Sequence, residues 1–445
     1  MYRVIEERYR CPDQIAESPA IPPLSTADRP SRFESDSSSY TPSSSLAADL
    51  PANLTAALIG SQPALDPDRL VSSFTLERYL GRSHGTAPRG GPRHLWSELY
   101  YCVRPFLPNW LRIALQRLYL HGWRRIGFPA WPLDVTVERL VESSLLQCMK
   151  GGGIAAMPFI WFWPDGASSA AILTHDVETV RGRDFCHRLM DIDESFGFHS
   201  SYQIVPERRY PVTTTLLQEI RDRGHEVNVQ DLNHDGRLFA DRHTFLSRVQ
   251  SINEYGRAWG AKGFRSAILY RNLDWYDALE FEYDMSVPNV AHLDPQRGGC
   301  CTVFPYLVGN ILELPLTTIQ DYSLFHILRQ RGIDLWKKQS ELVMEKHGLL
   351  SFIVHPDYLV DHRAQSAYRD LLAFLVGLRS ERKLWVALPN QVNEWWRQRS
   401  KMTLVPHGNT WRVQGTGHER ARIAYARIEG NRLVYAIESA VPAAT

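Results

Sequence analysis

The sequence predicts an α/β fold whose central element is a distorted (β/α) barrel over residues 166–400. Three observations carry this. Short apolar runs of strand length alternate with helical stretches, the pattern of a mostly parallel sheet. The helical stretches have start and stop signals, such as Thr213 before Leu216–Arg223 and Gly224 after it. Polar residues able to do chemistry fall directly after the apolar runs, where α/β barrels carry their sites.

In order, the expected strands are 170–173, 201–205, 226–229, 311–315, 349–354 and 384–387. Each is a run of apolar residues, the reading for a strand covered on both faces. Helices are expected over 213–223, within 324–346, over 364–379 and over 391–399, the last closing the barrel.

Three regions flank the barrel. Residues 1–95 are expected to be mostly disordered, because the Ser- and Pro-rich stretch 22–45 has too little apolar surface to offset its ordering entropy. A short helix over Val71–Leu80 and a linker near Pro88–Pro92 are the expected exceptions. Residues 96–165 form a basic, aromatic helical segment. No acidic residue occurs between Glu98 and Asp134, while Arg104, Arg112, Arg117, Arg124 and Arg125 alternate with Trp110, Tyr119 and Trp123. The expected apolar side of its helix is Leu111, Ile113, Leu115 and Leu118. Packing on the main domain is the first reading of this helix. Contact of residues 104–131 with an anionic membrane surface is the second. Residues 401–445 read as a small β appendage with strands at 411–413, 422–428 and 432–437.

Composition excludes some classes. The 445 residues are 44% hydrophobic and 22% charged, which are globular values. Lys and Arg number 50 against 49 Asp and Glu, so a bulk nucleic-acid binder is not expected. No apolar run of transmembrane length occurs. Neither a CxxC spacing nor a signal-type N-terminus is found, so the expected setting is cytoplasmic, including the inner membrane face.

Five short motifs carry the chemistry. Thr174-His175-Asp176-Val177-Glu178 ends the first expected barrel strand. The segment 224–236, GHEVNVQDLNHDG, offers Gln230, Asp231, His234 and Asp235 as oxygen and nitrogen ligands. Arg265, in GFRSA, can hold a carboxylate or an oxyanion through its fork. Asp284 and Glu313 lie at the ends of 281–288 and 311–315, and His355 follows the apolar run 351–354.

Taken in this order, the motifs resemble those of the polysaccharide deacetylase (NodB-homology) family over 166–400. The match is clearest in the Gly-His-Glu opening at 224–226 and the final Ile-Val-His at 353–355. The resemblance implies a (β/α) barrel and a metal-dependent hydrolase of carbon–nitrogen, non-peptide bonds. By motif position it implies Asp176 as base, His355 as acid and Arg265 as holder of the base. The metal set it implies is Glu178, His234, Gln230 and Asp231 around a divalent ion, zinc being expected. The sequence departs from the family here: Val177 stands where the family has an Asp ligand, and Gln230 where it has a His. A carboxamide is a weaker zinc ligand than imidazole. His175, Tyr270, Asp284 and Glu313 are the candidate substrate contacts.

The expected reaction is removal of an acyl group, N-acetyl foremost, from a carbohydrate or glycolipid in exopolysaccharide biosynthesis. With no export signal evident, a lipid-linked or nucleotide-linked sugar is the expected form. The alternative is a non-catalytic carbohydrate-binding or scaffold protein on a decayed barrel, motivated by Gln230.

Overall fold

Apolar runs of five residues or so cannot bury both faces alone, and here they do so by assembling one curled, nine-stranded sheet. The structure, a computed structural model, describes residues 2–12, 66–81, 109–408 and 410–438. In chain order the strands are β1 (Ala156–Ile160), β2 (Ser169–Val177), β3 (Ser201–Ile204), β4 (Glu226–Gln230) and β5 (Gly263–Arg265). They continue with β6 (Tyr283–Asp284), β7 (Tyr306–Val308), β8 (Ile311–Glu313), β9 (Leu349–Ile353) and β10 (Leu384–Val386). The last four are β11 (Thr403–His407), β12 (Thr410–Gln414), β13 (Ile423–Glu429) and β14 (Arg432–Ile437).

The chain divides into two compact units. One is Ser73–Thr136 with Ala167–Glu394; the other is Met1–Ser72, Val137–Gly166 and Trp395–Thr445.

The first unit holds the distorted (β/α) barrel, strands β2 to β10. The order is β10-β2-β3-β4-β5-β6-β8-β7, with β9 on β2. Every pairing is parallel except the β7–β8 hairpin. β2 is the hub: Ala170–Thr174 pair with β9, Thr174–Val177 with β3, and Ser169–Ala171 with β10. All nine of its residues are buried, the apolar run Ala170–Leu173 and the polar Thr174, His175 and Asp176 alike. Between β9 and the segment after β8, threonine hydroxyls replace ladder hydrogen bonds. Thr317 Oγ1 donates to Leu349 O and Thr318 Oγ1 to Ser351 O, both at 2.7 Å, and Ser351 N donates to Thr317 Oγ1 at 3.0 Å.

Helices between the strands start where side chains satisfy the free N–H groups. Thr179 caps Val180–Ser195, Thr213 caps Thr214–Asp222, Asp241 caps Arg242–Trp259 and Asp361 caps His362–Glu381. The helix expected within 324–346 is two pieces, a π-helical turn at Ser323–Ile327 and a helix at Asp334–Glu345. Left-handed Arg329 (φ 59°) and Gly332 separate them.

The helix Asn109–Tyr119 buries only part of the expected side, with Leu111 and Ile113 half-buried. Ile113, Gln116, Arg117 and Leu120 turn inward, with Arg117 Nε donating to His326 O at 2.9 Å. Leu115, Leu118 and Tyr119 are exposed. The side chains of Arg104, Trp110 and Arg112 lie outside the described residues.

In the second unit β13 pairs antiparallel with both β14 and β1, while β11 and β12 form a hairpin. The expected C-terminal appendage therefore takes a strand from residues 156–160, in the segment expected to be helical. Most of the expected N-terminal disorder, and the linker near Pro88–Pro92, fall outside the described residues. The described parts are helical at Arg3–Tyr9 and Pro67–Thr75.

Candidate active site

Side chains alternate along a strand, so Thr174 and Asp176 share one face of β2 and His175 takes the other. Arg265 at the end of β5 reaches both members of the first pair. Its Nη2 donates to Thr174 Oγ1 at 3.0 Å, and its Nη1 lies 3.7 Å from Asp176 Oδ1. Gln230, at the end of β4, donates from Nε2 to Asp176 Oδ2 at 3.2 Å. Asp176 is thus held by a cation and an amide, and it is 4% exposed.

Glu178, beyond the end of β2, forms the centre of a second group. Its Oε1 lies 2.8 Å from His234 Nε2 and 3.5 Å from His355 Nε2. His355 follows β9 and is fixed from behind by Asp321. Its Nδ1 lies 2.6 Å from Asp321 Oδ1, and its backbone N–H donates to Oδ2 at 2.7 Å. Asp357 accepts from Glu178 N at 3.0 Å and from the Thr179 hydroxyl. Gly182 makes room for that carboxylate; an added Cβ would collide with it. Arg209 Nε donates to Glu178 O at 2.8 Å.

These contacts set the charges. Burial opposes ionisation of Glu178, but His234 and His355 outweigh it and hold the carboxyl well below its usual range. Burial likewise opposes protonation of His355, and Asp321 with Glu178 outweighs it, so the imidazole is held well above its usual value. His234 is raised by Glu178 in the same way. The two imidazoles thus favour the ionised form of Glu178, and Asp321 with Glu178 favours the protonated form of His355.

Glu178, His234 and His355 open on a cavity of about 700 Å³. Its other walls include Tyr119, Ile268, Tyr322 and Tyr358. Asp176, Gln230, Asp231 and Arg265 lie outside its lining.

The expected metal ligands are only partly brought together. Glu178 and His234 converge. Gln230 has turned its amide nitrogen to Asp176, and its Oε1 has no partner. Asp231 sits in a left-handed turn (φ 52°), where Oδ1 accepts from Leu232 N at 2.7 Å and burial raises its carboxyl. Neither ring nitrogen of His234 has a hydrogen bond of good geometry, so the 2.8 Å approach of Glu178 is out of line. Among the described residues no group of three or more His, Cys, Asp or Glu side chains is placed to hold a metal ion. A zinc site needs three or four such donors. The residues present do not make the site the motifs imply, and two departures explain it: Val177 has no donor, and Gln230 serves Asp176.

The four expected substrate contacts lie elsewhere. His175 is fully buried on the outer face of β2, where Nδ1 is 2.9 Å from Val354 O and Nε2 is 3.1 Å from Asp193 Oδ2. Tyr270 packs on the cluster around Phe264, Tyr276 and Phe281. Asp284 and Glu313 are a buried pair in neighbouring strands. Asp284 accepts from Ser286 and Tyr276, and Glu313 from Val287 N at 2.9 Å. Burial and the Asp284 charge hold the Glu313 carboxyl well above its usual range.

Sequence reasoning missed Asp321, Asp357, Arg209 and the cavity wall given by Asn109–Tyr119. Asp357 was signalled by its place two residues after His355. Asp321 had only a polar run after β8 to mark it.

No protein-family model and no curated protein matches the sequence. Solved structures do. A Mycobacterium smegmatis protein described as a polysaccharide deacetylase is 20% identical, with a TM-score of 0.44 over 54% of this chain and 93% of its own. A Pseudomonas aeruginosa PAO1 protein described likewise is 12% identical, with a TM-score of 0.41 over 53% and 93%. A peptidoglycan deacetylase from Bacillus subtilis is 11% identical, with a TM-score of 0.35 over 53% and 95%. Over about half its length the chain is thus similar to solved polysaccharide deacetylases, the family its ordered motifs resemble.

Proposed function

We propose that the chain is a hydrolase that removes an acyl group, N-acetyl foremost, from a carbohydrate or glycoconjugate. The observation that carries this reading is Glu178 Oε1 placed 3.5 Å from His355 Nε2 on the wall of a cavity at the C-terminal ends of parallel strands. Glu178 takes a proton from a water molecule as its oxygen attacks the acyl carbonyl. His355 gives a proton to the departing amine or hydroxyl as the carbon–nitrogen or carbon–oxygen bond breaks. Asp321 keeps the His355 Nδ1 proton in place, so Nε2 faces the leaving group. The family resemblance implies Asp176 as base; Asp176 pairs with Arg265 outside the cavity lining, whereas Glu178 is the carboxylate in that lining, and the role is proposed for Glu178.

One observation favours a second reading, a carbohydrate-binding protein without turnover. Gln230 occupies Asp176 with its own amide, where the family pattern has an imidazole ligand.

The test is acetate release, followed by proton NMR, from a panel of N- and O-acetylated oligosaccharides. The hydrolase reading expects release by the wild type and none by His355→Ala. Binding without release by the wild type would establish the second reading.

A further inference from the structure

The cavity lining includes four exposed arginines, Arg181, Arg209, Arg331 and Arg363. Elsewhere in this unit arginines hold carboxylates: Arg223 holds Asp191 and Glu194, and Arg248 holds Asp235. In the cavity they do not. Among the described residues no carboxylate pairs with any of the four.

The carboxylates facing them are already engaged. Glu178 is taken by His234 and His355, Asp357 by Glu178 N and Thr179, and Asp361 by the N–H groups of Arg363 and Ala364. Placement adds to the imbalance. Arg181 and Arg363 stand in the first turns of Val180–Ser195 and His362–Glu381, where the helix dipole is already positive and a cation is unfavourable. Two arginines at two helix N-termini on one cavity wall raise the local potential. That arrangement is stabilised by an anion rather than by a neutral sugar. Guanidinium forks match phosphate oxygens in bidentate fashion.

We propose that the cavity takes its sugar as a phosphoester, a glycosyl phosphate or diphosphate, gripped by Arg181 and Arg363 beside Glu178. This rests on the hydrolase reading for its reaction but not for its binding. The shared chemistry is the phosphate, and its second substituent is a nucleoside or a lipid. The lining also includes Tyr119, 64% exposed, and the adjacent residue of its helix, Leu118, is 72% exposed.

The experiment is calorimetric titration of the full-length protein with N-acetylglucosamine 1-phosphate and with N-acetylglucosamine. The phosphorylated sugar is expected to bind at least tenfold more tightly, and the preference should weaken as salt rises. The double variant Arg181→Ala/Arg363→Ala, checked for unchanged Tm, should lose most of it. Equal affinities, no binding of either sugar, or an undiminished preference in the variant overturns the proposal.

Two further probes identify the source. These are UDP-N-acetylglucosamine and an N-acetylglucosaminyl diphosphate carrying a fifteen-carbon isoprenoid. Tighter binding of the isoprenoid, reduced by Leu118→Ser, marks a lipid-linked substrate; tighter binding of the uridine compound marks a nucleotide-linked one. Phosphate preference without acetate release removes the hydrolase reading alone. Acetate release at equal kcat/KM from neutral and phosphorylated sugars removes this inference alone.

Discussion

Replacing Asp321 by Asn isolates the part of the site that sets the acid. Asp321 is fully buried and accepts three hydrogen bonds. These come from the His355 ring at 2.6 Å, from His355 N at 2.7 Å and from Tyr322 N at 2.7 Å. The carboxamide has nearly the same shape but one acceptor oxygen, so one of the donors on its two sides faces an NH2 group. A hydrogen bond to a charged group contributes about 1.5–3 kcal/mol. If that is lost in the transition state, kcat falls roughly 10- to 150-fold, at about 1.4 kcal/mol per decade. The pH profile separates this from a structural effect. His355 loses the charge that favours its protonated form, so the alkaline limb of kcat/KM should move to lower pH. Stability follows the same sign. A raised imidazole contributes stability that is fully present below the unfolded value near 6.5 and is lost as pH rises through its own pKa. The Tm deficit of the variant should therefore be largest below pH 6.5 and shrink above it. The assay is initial-rate acetate release across pH 5–10, beside thermal unfolding. An unshifted alkaline limb with a rate within twofold of wild type would refute the reasoning.

Three other outcomes follow from the same geometry. Gln230→His should raise zinc affinity at least tenfold over a wild type that carries no stoichiometric divalent ion by elemental mass spectrometry. Adding His234→Ala should remove the gain, and no gain would mean that position 230 does not face a ligand position. Glu77→Gln should cost about 3–5 kcal/mol in denaturant unfolding. It leaves buried Arg271, now bonded to Glu77 Oε2 at 2.7 Å, without its counter-charge, and an unchanged midpoint would contradict this. Gly182→Ala should cost about 1–3 kcal/mol and lower turnover, because its Cβ displaces Asp357 from Glu178 N; a variant with wild-type Tm and rate would show that Asp357 does not hold the loop.

The barrel was legible because parallel strands buried on both faces carry apolar runs, as at Ala170–Leu173 in β2 and around Ser351 in β9; β4, Glu-Val-Asn-Val-Gln, is buried although most of its residues are polar. Helix starts were legible where a side chain caps them, as at Thr213. Orientation was harder. His175 and Asp176 are adjacent in sequence, and the strand period sends them to opposite faces, so naming both for one site could not hold. At Asn109–Tyr119 the inward residues include Gln116 and Arg117, which no apolar pattern marks; Arg117 is drawn in by the carbonyl of His326. Asp321 meets His355 across 34 residues, and β1 meets β13 across most of the barrel sequence; no local pattern encodes such pairings. The metal expectation came from motif order. Among the described residues Glu178 and His234 converge, while at the two departures from that order Val177 offers no donor and Gln230 bonds Asp176.

The central claim is that the carboxylate reaching the cavity, Glu178, is the base that works with His355. The direct measurement is acetate release by Glu178→Gln and by Asp176→Asn, each beside wild type and each confirmed folded by circular dichroism. The account predicts a fall of at least ~100-fold for Glu178→Gln, in line with removal of a general base, and a smaller loss for Asp176→Asn. Wild-type turnover in Glu178→Gln, with activity lost only in Asp176→Asn, would contradict it.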